Sequence, residues 1–345
     1  MIQYVFHQWE RRLAAATNNR VVRPFEWGLE WVGLDDPASH ADPAAALRRY
    51  VAGVMADSKS FYAVKPARTY DLDARNHLTF ESAIQTPHGE NNTVHARYFP
   101  SANKDRTAAV VVLPQWNSAP DGHVGLSQLL ARFNMSALRL SLPYHDWRMP
   151  PELHRADYIV SSNVGRTLQV CRQAVLDARR AVFWLAKRGY KHIGILGTSL
   201  GSCLAMLTAA HEPFIETAAL NHISPYFADV VWEGLSTTHV RQGLEGHIDV
   251  DLLRDLWLPI SPQPFLDQMH RTRTLLVYAR YDLTFPLHLS RSLVKEFGRR
   301  RLPHDVAVLP CGHYSTGISP FKWMDGYVLT KFLRNNLAQL EPFDE

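Results

Sequence analysis

Residues 192–201 read His-Ile-Gly-Ile-Leu-Gly-Thr-Ser-Leu-Gly, an apolar strand pattern running straight into Gly197-Thr198-Ser199-Leu200-Gly201, a G-x-S-x-G. A helical pattern follows, and strand, sharp turn and helix are the setting in which such a motif presents a nucleophilic serine. Gly197 and Gly201 lack a Cβ, so the chain can turn tightly and the helix can pack close to the strand. A Gly/Ser-rich loop without chemistry would read the same over five residues, so the assignment of Ser199 rests on what lies downstream.

A serine hydroxyl needs a base, normally histidine, oriented by a carboxylate. The chain has 17 histidines, so position must select among them. Thr274-Leu275-Leu276-Val277-Tyr278-Ala279 reads as a strand that opens into Arg280-Tyr281-Asp282, and a strand ending at Leu309-Pro310 opens into Cys311-Gly312-His313. Asp282 and His313 therefore each fall just past a strand's carboxyl end, where doubly wound sheets carry their functional loops. The rivals fit less well: Asp251 and Asp255 follow no strand, and His304 precedes its strand and so belongs to the opposite edge of the sheet.

The elements that must hold these residues alternate. Strands are predicted at Ala108–Leu113, Ser136–Leu142, Ile193–Leu196, Thr217–Ile223, Thr274–Ala279 and Val306–Leu309. Helices are predicted at His123–Phe133, Ser162–Lys187, Leu200–His211, Pro286–Phe297 and Phe321–Leu337. The all-apolar Ala108–Leu113 suits a strand buried on both faces, and the alternation predicts an α/β fold with a mostly parallel sheet covered by helices on both sides. Ahead of it, Thr79–Thr86 and Thr93–Phe99 flank a turn-rich Pro87–Asn92 and read as a hairpin. Residues 1–75 read as an N-terminal helical extension, clearest at Pro43–Met55 with Asp42 as N-cap and Pro43 at the first helical position. Its Trp9, Trp27 and Trp31 suggest an accessory cap or dimer contact, and the weakly amphipathic first helix (Val5, Trp9, Leu13) suits packing on its own domain or contact with a membrane surface. The remaining residues 76–345 form the expected catalytic domain. Between about 225 and 270 the periodicity blurs, which marks an insertion over the sheet's carboxyl edge, either a lid or a helical excursion packed on the core.

The order Ser199…Asp282…His313, each residue in the loop after its own strand, resembles the α/β-hydrolase superfamily of carboxylesterase- and lipase-like serine hydrolases over about residues 76–340. The resemblance implies an α/β-hydrolase fold, a Ser-His-Asp triad and an oxyanion hole formed by the Leu200 N–H and an N–H from the loop after an earlier strand. That loop here is Leu113-Pro114-Gln115-Trp116-Asn117, where many relatives carry His-Gly. Pro114 has no N–H, which leaves Gln115 or Trp116, and matching Pro114-Gln115 to His-Gly favours Trp116. Pro143-Tyr144-His145-Asp146-Trp147-Arg148-Met149-Pro150 also resembles the P-Y-x-x-x-R-x-P segment of a branch of abhydrolase-domain proteins. It reads either as a proline-braced loop with Arg148 paired to a carboxylate, or as pocket wall through Tyr144 or Arg148.

The function expected is hydrolysis of a carboxylic ester through an acyl-enzyme. Trp116, Tyr144, Tyr226, Phe227 and Trp232 would supply an aromatic substrate pocket. Lipid esters and thioesters are the alternative substrates, and a non-catalytic hydrolase-fold binding protein is the alternative class. Other chemistries fit poorly. The glycine spacing G-x-x-G-x-x-x-G is not the dinucleotide G-x-G-x-x-G. No H-x-x-x-H or H-E-x-x-H pair occurs, so neither a cofactor nor a metal is expected. With 37 basic and 33 acidic residues the net charge is +4, too mild to argue for nucleic acid. Cys171, Cys203 and Cys311 form no C-x-x-C and predict neither a zinc site nor a disulfide framework. With no secretory signal pattern and no apolar run of the ~20 residues a bilayer requires, a cytoplasmic location is expected. The expected partner is a small-molecule or lipid ester, and the composition is compatible with a homodimer.

Overall fold

The computed structural model describes residues 1–102 and 107–337. Residues 103–106 and 338–345, both within the expected catalytic domain, lie outside the described residues. Nine strands form one sheet: β1 (Tyr70–Leu72), β2 (His77–Glu81), β3 (Thr93–Phe99), β4 (Ala108–Leu113), β5 (Met135–Leu140), β6 (His192–Thr198), β7 (Ile215–Asn221), β8 (Arg273–Ala279) and β9 (His304–Leu309). Their order in space is β1-β2-β3-β5-β4-β6-β7-β8-β9. The six from β5 to β9 run parallel, and β1, β2 and β3 join antiparallel. The sheet thus begins at Tyr70, slightly inside the segment expected to be helical.

The parallel strands need crossovers, and helices supply them. Single helices make four of them, α5 (Val124–Arg132), α6 (Val164–Lys187), α7 (Leu200–His211) and α11 (Leu287–Arg299), and α12 (Phe321–Leu337) follows the last strand. One face of the sheet packs under α6 and α7, and the other packs under α12 around Val110, Val112, Leu196 and Val277. β4 is buried at every residue, as its unbroken apolar run predicts. Between β7 and β8 the chain forms α8 (Phe227–Glu233), α9 (Thr238–Leu244), α10 (Val250–Leu256) and short 3-10 turns. This insertion is anchored rather than loose: Leu253, Leu256, Trp257 and Ile260 are completely buried in the main core.

Four helices precede the sheet: α1 (Ile2–Ala15), α2 (Pro37–Ala41), α3 (Pro43–Ala56) and α4 (Ser58–Phe61). Asp42 caps α3 by accepting from the Ala45 N–H at 3.0 Å, a cap of the kind worth about 1 kcal/mol. α1 leaves Ile2, Tyr4 and Val5 exposed but packs its other face on the protein. Phe6 stacks on Tyr281 with ring centroids 4.4 Å apart, and Trp9 contacts Phe321. No helix among the described residues is long and apolar enough to cross a membrane.

Candidate active site

Ser199 stands between β6 and α7 with φ 56° and ψ −119°, a backbone conformation that costs a non-glycine residue of order 1–3 kcal/mol and persists only where its surroundings enforce it. The enforcement is visible. A Cβ on Gly197 would sit 2.0 Å from the Gly201 carbonyl oxygen, and one on Gly201 would sit 2.2 Å from the Leu113 carbonyl oxygen. Both glycines are therefore required by close approach. The Ser199 N–H donates to the Asn221 carbonyl at 2.8 Å. Its own carbonyl accepts from the Ser202 N–H at 2.9 Å and from the Ser202 hydroxyl at 2.7 Å.

Asp282 lies three residues past β8 and is buried. Its Oδ1 accepts the Thr284 and Phe285 N–H groups, each at 2.7 Å. Its Oδ2 faces His313 Nδ1 at 3.1 Å and His222 Nδ1 at 2.8 Å. Burial alone would raise the Asp282 pKa, but the facing His313 charge and the two imidazole hydrogen bonds outweigh it and hold the carboxyl well below the usual range. For His313 burial pushes the pKa down, while the Asp282 charge, its hydrogen bond and the Glu10 charge push it up, leaving the imidazole above its ordinary 6.5. With Nδ1 turned to Asp282, Nε2 is the nitrogen free for proton transfer. The His313 ring stacks on Phe285 at 5.5 Å, and Phe285 and Ser199 line the same pocket.

That pocket spans about 450 Å³ including its mouth open to solvent, with Trp116, Leu200, Phe227, Val230 and Val231 among its walls. Leu200 opens α7, so its N–H has no partner within the helix. Of the two candidates in the preceding loop, Trp116 reaches the pocket wall and Gln115 does not. Among the aromatics expected there, Phe227 lines the pocket and three others do not. Tyr144 is fully buried behind it with its hydroxyl on His88. Tyr226 lies under Arg254 and Trp232 under Arg241. Which of Tyr226, Phe227 and Trp232 reaches the pocket depends on how the short helix α8 turns, which aromatic composition does not encode.

The Pro143–Pro150 segment is a brace. Arg148 is buried and bonded to Asp177 at 2.8 Å, to the Asn91 carbonyl through two nitrogens and to the Ser141 carbonyl. Asp146 holds Ser141 and Arg139. His145 connects this brace to the site: its Nδ1 donates to the Pro143 carbonyl, and its Nε2 accepts the Asn117 N–H at 2.9 Å. Burial lowers the His145 pKa to about 4, so the ring stays neutral and keeps Nε2 as an acceptor. The link from this segment to the Trp116 loop runs through His145.

Two residues escaped sequence reasoning. His222 directly follows β7, so the strand-end argument that singled out Asp282 and His313 would have found it. Glu10, in α1, is completely buried and accepts from the Tyr314 N–H (2.8 Å), the Ser315 N–H (2.9 Å) and the Ser315 hydroxyl (2.7 Å). It clasps the loop that carries His313, and nothing local to α1 announces this. His222, Asp282 and His313 bring ligand-type atoms within 4.8 Å of one another. Both Nδ1 atoms are directed at one carboxylate oxygen at hydrogen-bond length, which is the geometry of two donors on one acceptor.

A parallel sheet with an antiparallel edge and β4 and β5 exchanged in order, a strained serine after β6, and Asp and His after β8 and β9 now stand together. The chain has the α/β-hydrolase fold. No family model matches the sequence, and no curated protein does. Solved structures with the α/β-hydrolase fold are similar in shape. Acetyl xylan esterase 1 from Thermoanaerobacterium sp. JW/SL YS485 has a TM-score of 0.60 at 12% identity, over 83% of this chain and 93% of that one. Acetyl xylan esterase from Paenibacillus sp. R4 has a TM-score of 0.59 at 15% identity, over 94% and 99%. Pyrococcus horikoshii acylaminoacyl peptidase has a TM-score of 0.57 at 13% identity, over 81% of this chain but 51% of that one, so the chain spans about half of its length.

Proposed function

We propose that the protein is a serine hydrolase that cleaves a carboxylic ester through an acyl-enzyme. The observation that carries the reading is Ser199 held at φ 56° on the wall of an apolar pocket whose Phe285 stacks on an imidazole already hydrogen-bonded to a buried aspartate. In this reading His313 Nε2 takes the proton as Ser199 Oγ attacks the ester carbonyl carbon. Asp282 holds the ring in the Nδ1–H tautomer and stabilises the imidazolium. The Leu200 and Trp116 amides receive the oxyanion, where a single such donor is typically worth ~2.7–4 kcal/mol. His313 then gives its proton to the leaving alcohol, and water attacks the acyl-enzyme with the same base.

The apolar walls around Ser199 support an ester with an apolar acyl group over a peptide. The similar structures are named as acetyl xylan esterases and an acylaminoacyl peptidase, which supports hydrolysis of an acyl bond in general. The decisive experiment is labelling with a fluorophosphonate probe alongside p-nitrophenyl ester turnover. The expected result is labelling and turnover by the wild type and neither by Ser199→Ala. Labelling that persists in the variant would remove Ser199 from its role, and a wild type that neither labels nor turns over ester would point to a binding module.

A further inference from the structure

Around Trp116 and Tyr314, three separate segments bring two guanidinium groups and an imidazole together. Arg155, from the segment between β5 and α6, lies with its guanidinium carbon 5.1 Å from the centre of the Trp116 ring. His239, from α9, stacks on the same ring with centroids 5.6 Å apart and planes 5° from parallel. Arg20, from the segment after α1, donates to the Tyr314 hydroxyl at 2.9 Å, beside His313. Both His239 and Arg155 are more than nine-tenths buried, at 6% and 7% exposure.

Charge and hydrogen bonding in this cluster do not balance internally. Asp157 serves Arg155 at 3.3 Å and Arg23 at 3.2 Å, and Arg155 reaches Asn19 as well. Arg20 has no carboxylate partner among the described residues. The other nearby carboxylate, Glu10, is occupied by the Tyr314 and Ser315 donors. Among the described residues, Arg20 Nε and both ring nitrogens of His239 are buried without a hydrogen-bond partner. Burial first, and then the Arg155 charge, lower the His239 pKa to about 4, so its ring is neutral with a single N–H. That donor and the Arg20 Nε–H are costly unless an acceptor meets them, and an oxyanion is the acceptor that also answers surplus guanidinium charge. A narrow cleft open to solvent is lined by His239, Arg23 and Asp157 and shares Val160 with the pocket of Ser199.

We propose that Arg20, Arg155 and His239 form a subsite for an oxyanion carried by the substrate, a carboxylate or a phosphate, remote from the ester that Ser199 attacks. The subsite rests on the hydrolase reading for its link to catalysis but not for its binding chemistry, and the experiment separates the two. Matched p-nitrophenyl esters are compared in kcat/KM: one acyl chain ending in a carboxylate, one in a phosphate, and one in a methyl group of the same length. The wild type should favour at least one anionic ester over the neutral one by about ten-fold or more, as one charge-assisted hydrogen bond would supply. Whichever anionic arm is faster identifies the group.

The ratio of anionic to neutral kcat/KM should fall toward unity in Arg20→Gln and in His239→Phe, which keeps the stacked ring and removes both nitrogens. Equal kcat/KM for charged and capped esters in the wild type would overturn the subsite, as would a preference that survives both substitutions. If no ester is turned over and Ser199 does not label, the hydrolase reading has failed. The subsite is then judged by calorimetric titration with glutarate and methyl phosphate. Binding that Arg20→Gln abolishes supports it, and no binding by the wild type overturns it.

Discussion

The two halves of the site are built by different means. Asp282 and His313 sit in a dense net of side-chain and amide donors: two imidazoles and two N–H groups converge on one carboxylate, and Glu10 locks the neighbouring loop. Ser199 is instead held mainly by the backbone and by the absence of atoms, with Gly197 and Gly201 letting main chains approach where no Cβ fits. In the first half, Asp282 keeps other donors when one of them is lost. The second half has nothing to yield. A polar net grades its response to mutation, whereas close-packed backbone responds almost all or none.

The sharpest way to test this contrast is to remove one reacting group from each half. Ser199→Ala should lower kcat for ester hydrolysis by about 10⁴-fold or more, and Asp282→Asn by about 10³–10⁴-fold through the wrong imidazole tautomer. Both should fold, as circular dichroism and the melting temperature will show. Gly201→Ala comes next, because the new methyl meets the Leu113 and Pro114 carbonyls. It should cost at least about 1–3 kcal/mol of stability in urea unfolding and take the activity with it. Near-normal stability in Gly201→Ala would refute the rigid description of the serine half.

The polar half should then give graded effects. His222→Ala removes one of two donors from Asp282 Oδ2 and should lower kcat/KM by about ten-fold, within the worth of one hydrogen bond to a charged group. His222→Asn should recover part of this, since asparagine tolerates the φ of 57° found there and still offers a donor. The smallest effect concerns pH. The base must be neutral to accept a proton, so kcat/KM should rise with pH through the His313 pKa, with its midpoint above 6.5. Glu10→Gln keeps a hydrogen-bonding oxygen but deletes a negative charge that raises that pKa. The midpoint should therefore move to lower pH. A shift to higher pH would break the account of Glu10.

The same contrast explains what the sequence revealed. Strand-end position is written in local apolar runs, so Ser199, Asp282 and His313 stood out, and the parallel sheet and its helices fell within a few residues of their predicted bounds. Trp116 was favoured because Pro114 left few donors in its loop, and it lies on the wall of the Ser199 pocket. His222 obeys the same rule as Asp282 but was passed over. Glu10 has no local signature at all, since its partners lie 304 and 305 positions away. The orientation of Tyr144, Tyr226 and Trp232 depends on how the insertion packs, which periodicity over seven-residue helices does not encode.

The clasp of Glu10 on the residues after His313 also has a meaning in time. During synthesis α1 is made first, and its acceptor oxygens face water until the last strand and the loop beyond it exist. Closing a loop of that length costs entropy that grows only with the logarithm of its size, yet it cannot close early, and high contact order slows folding. The clasp therefore forms only once every residue between Glu10 and Ser315 has been made, and the loop that carries His313 takes its restraint from a helix 304 positions upstream.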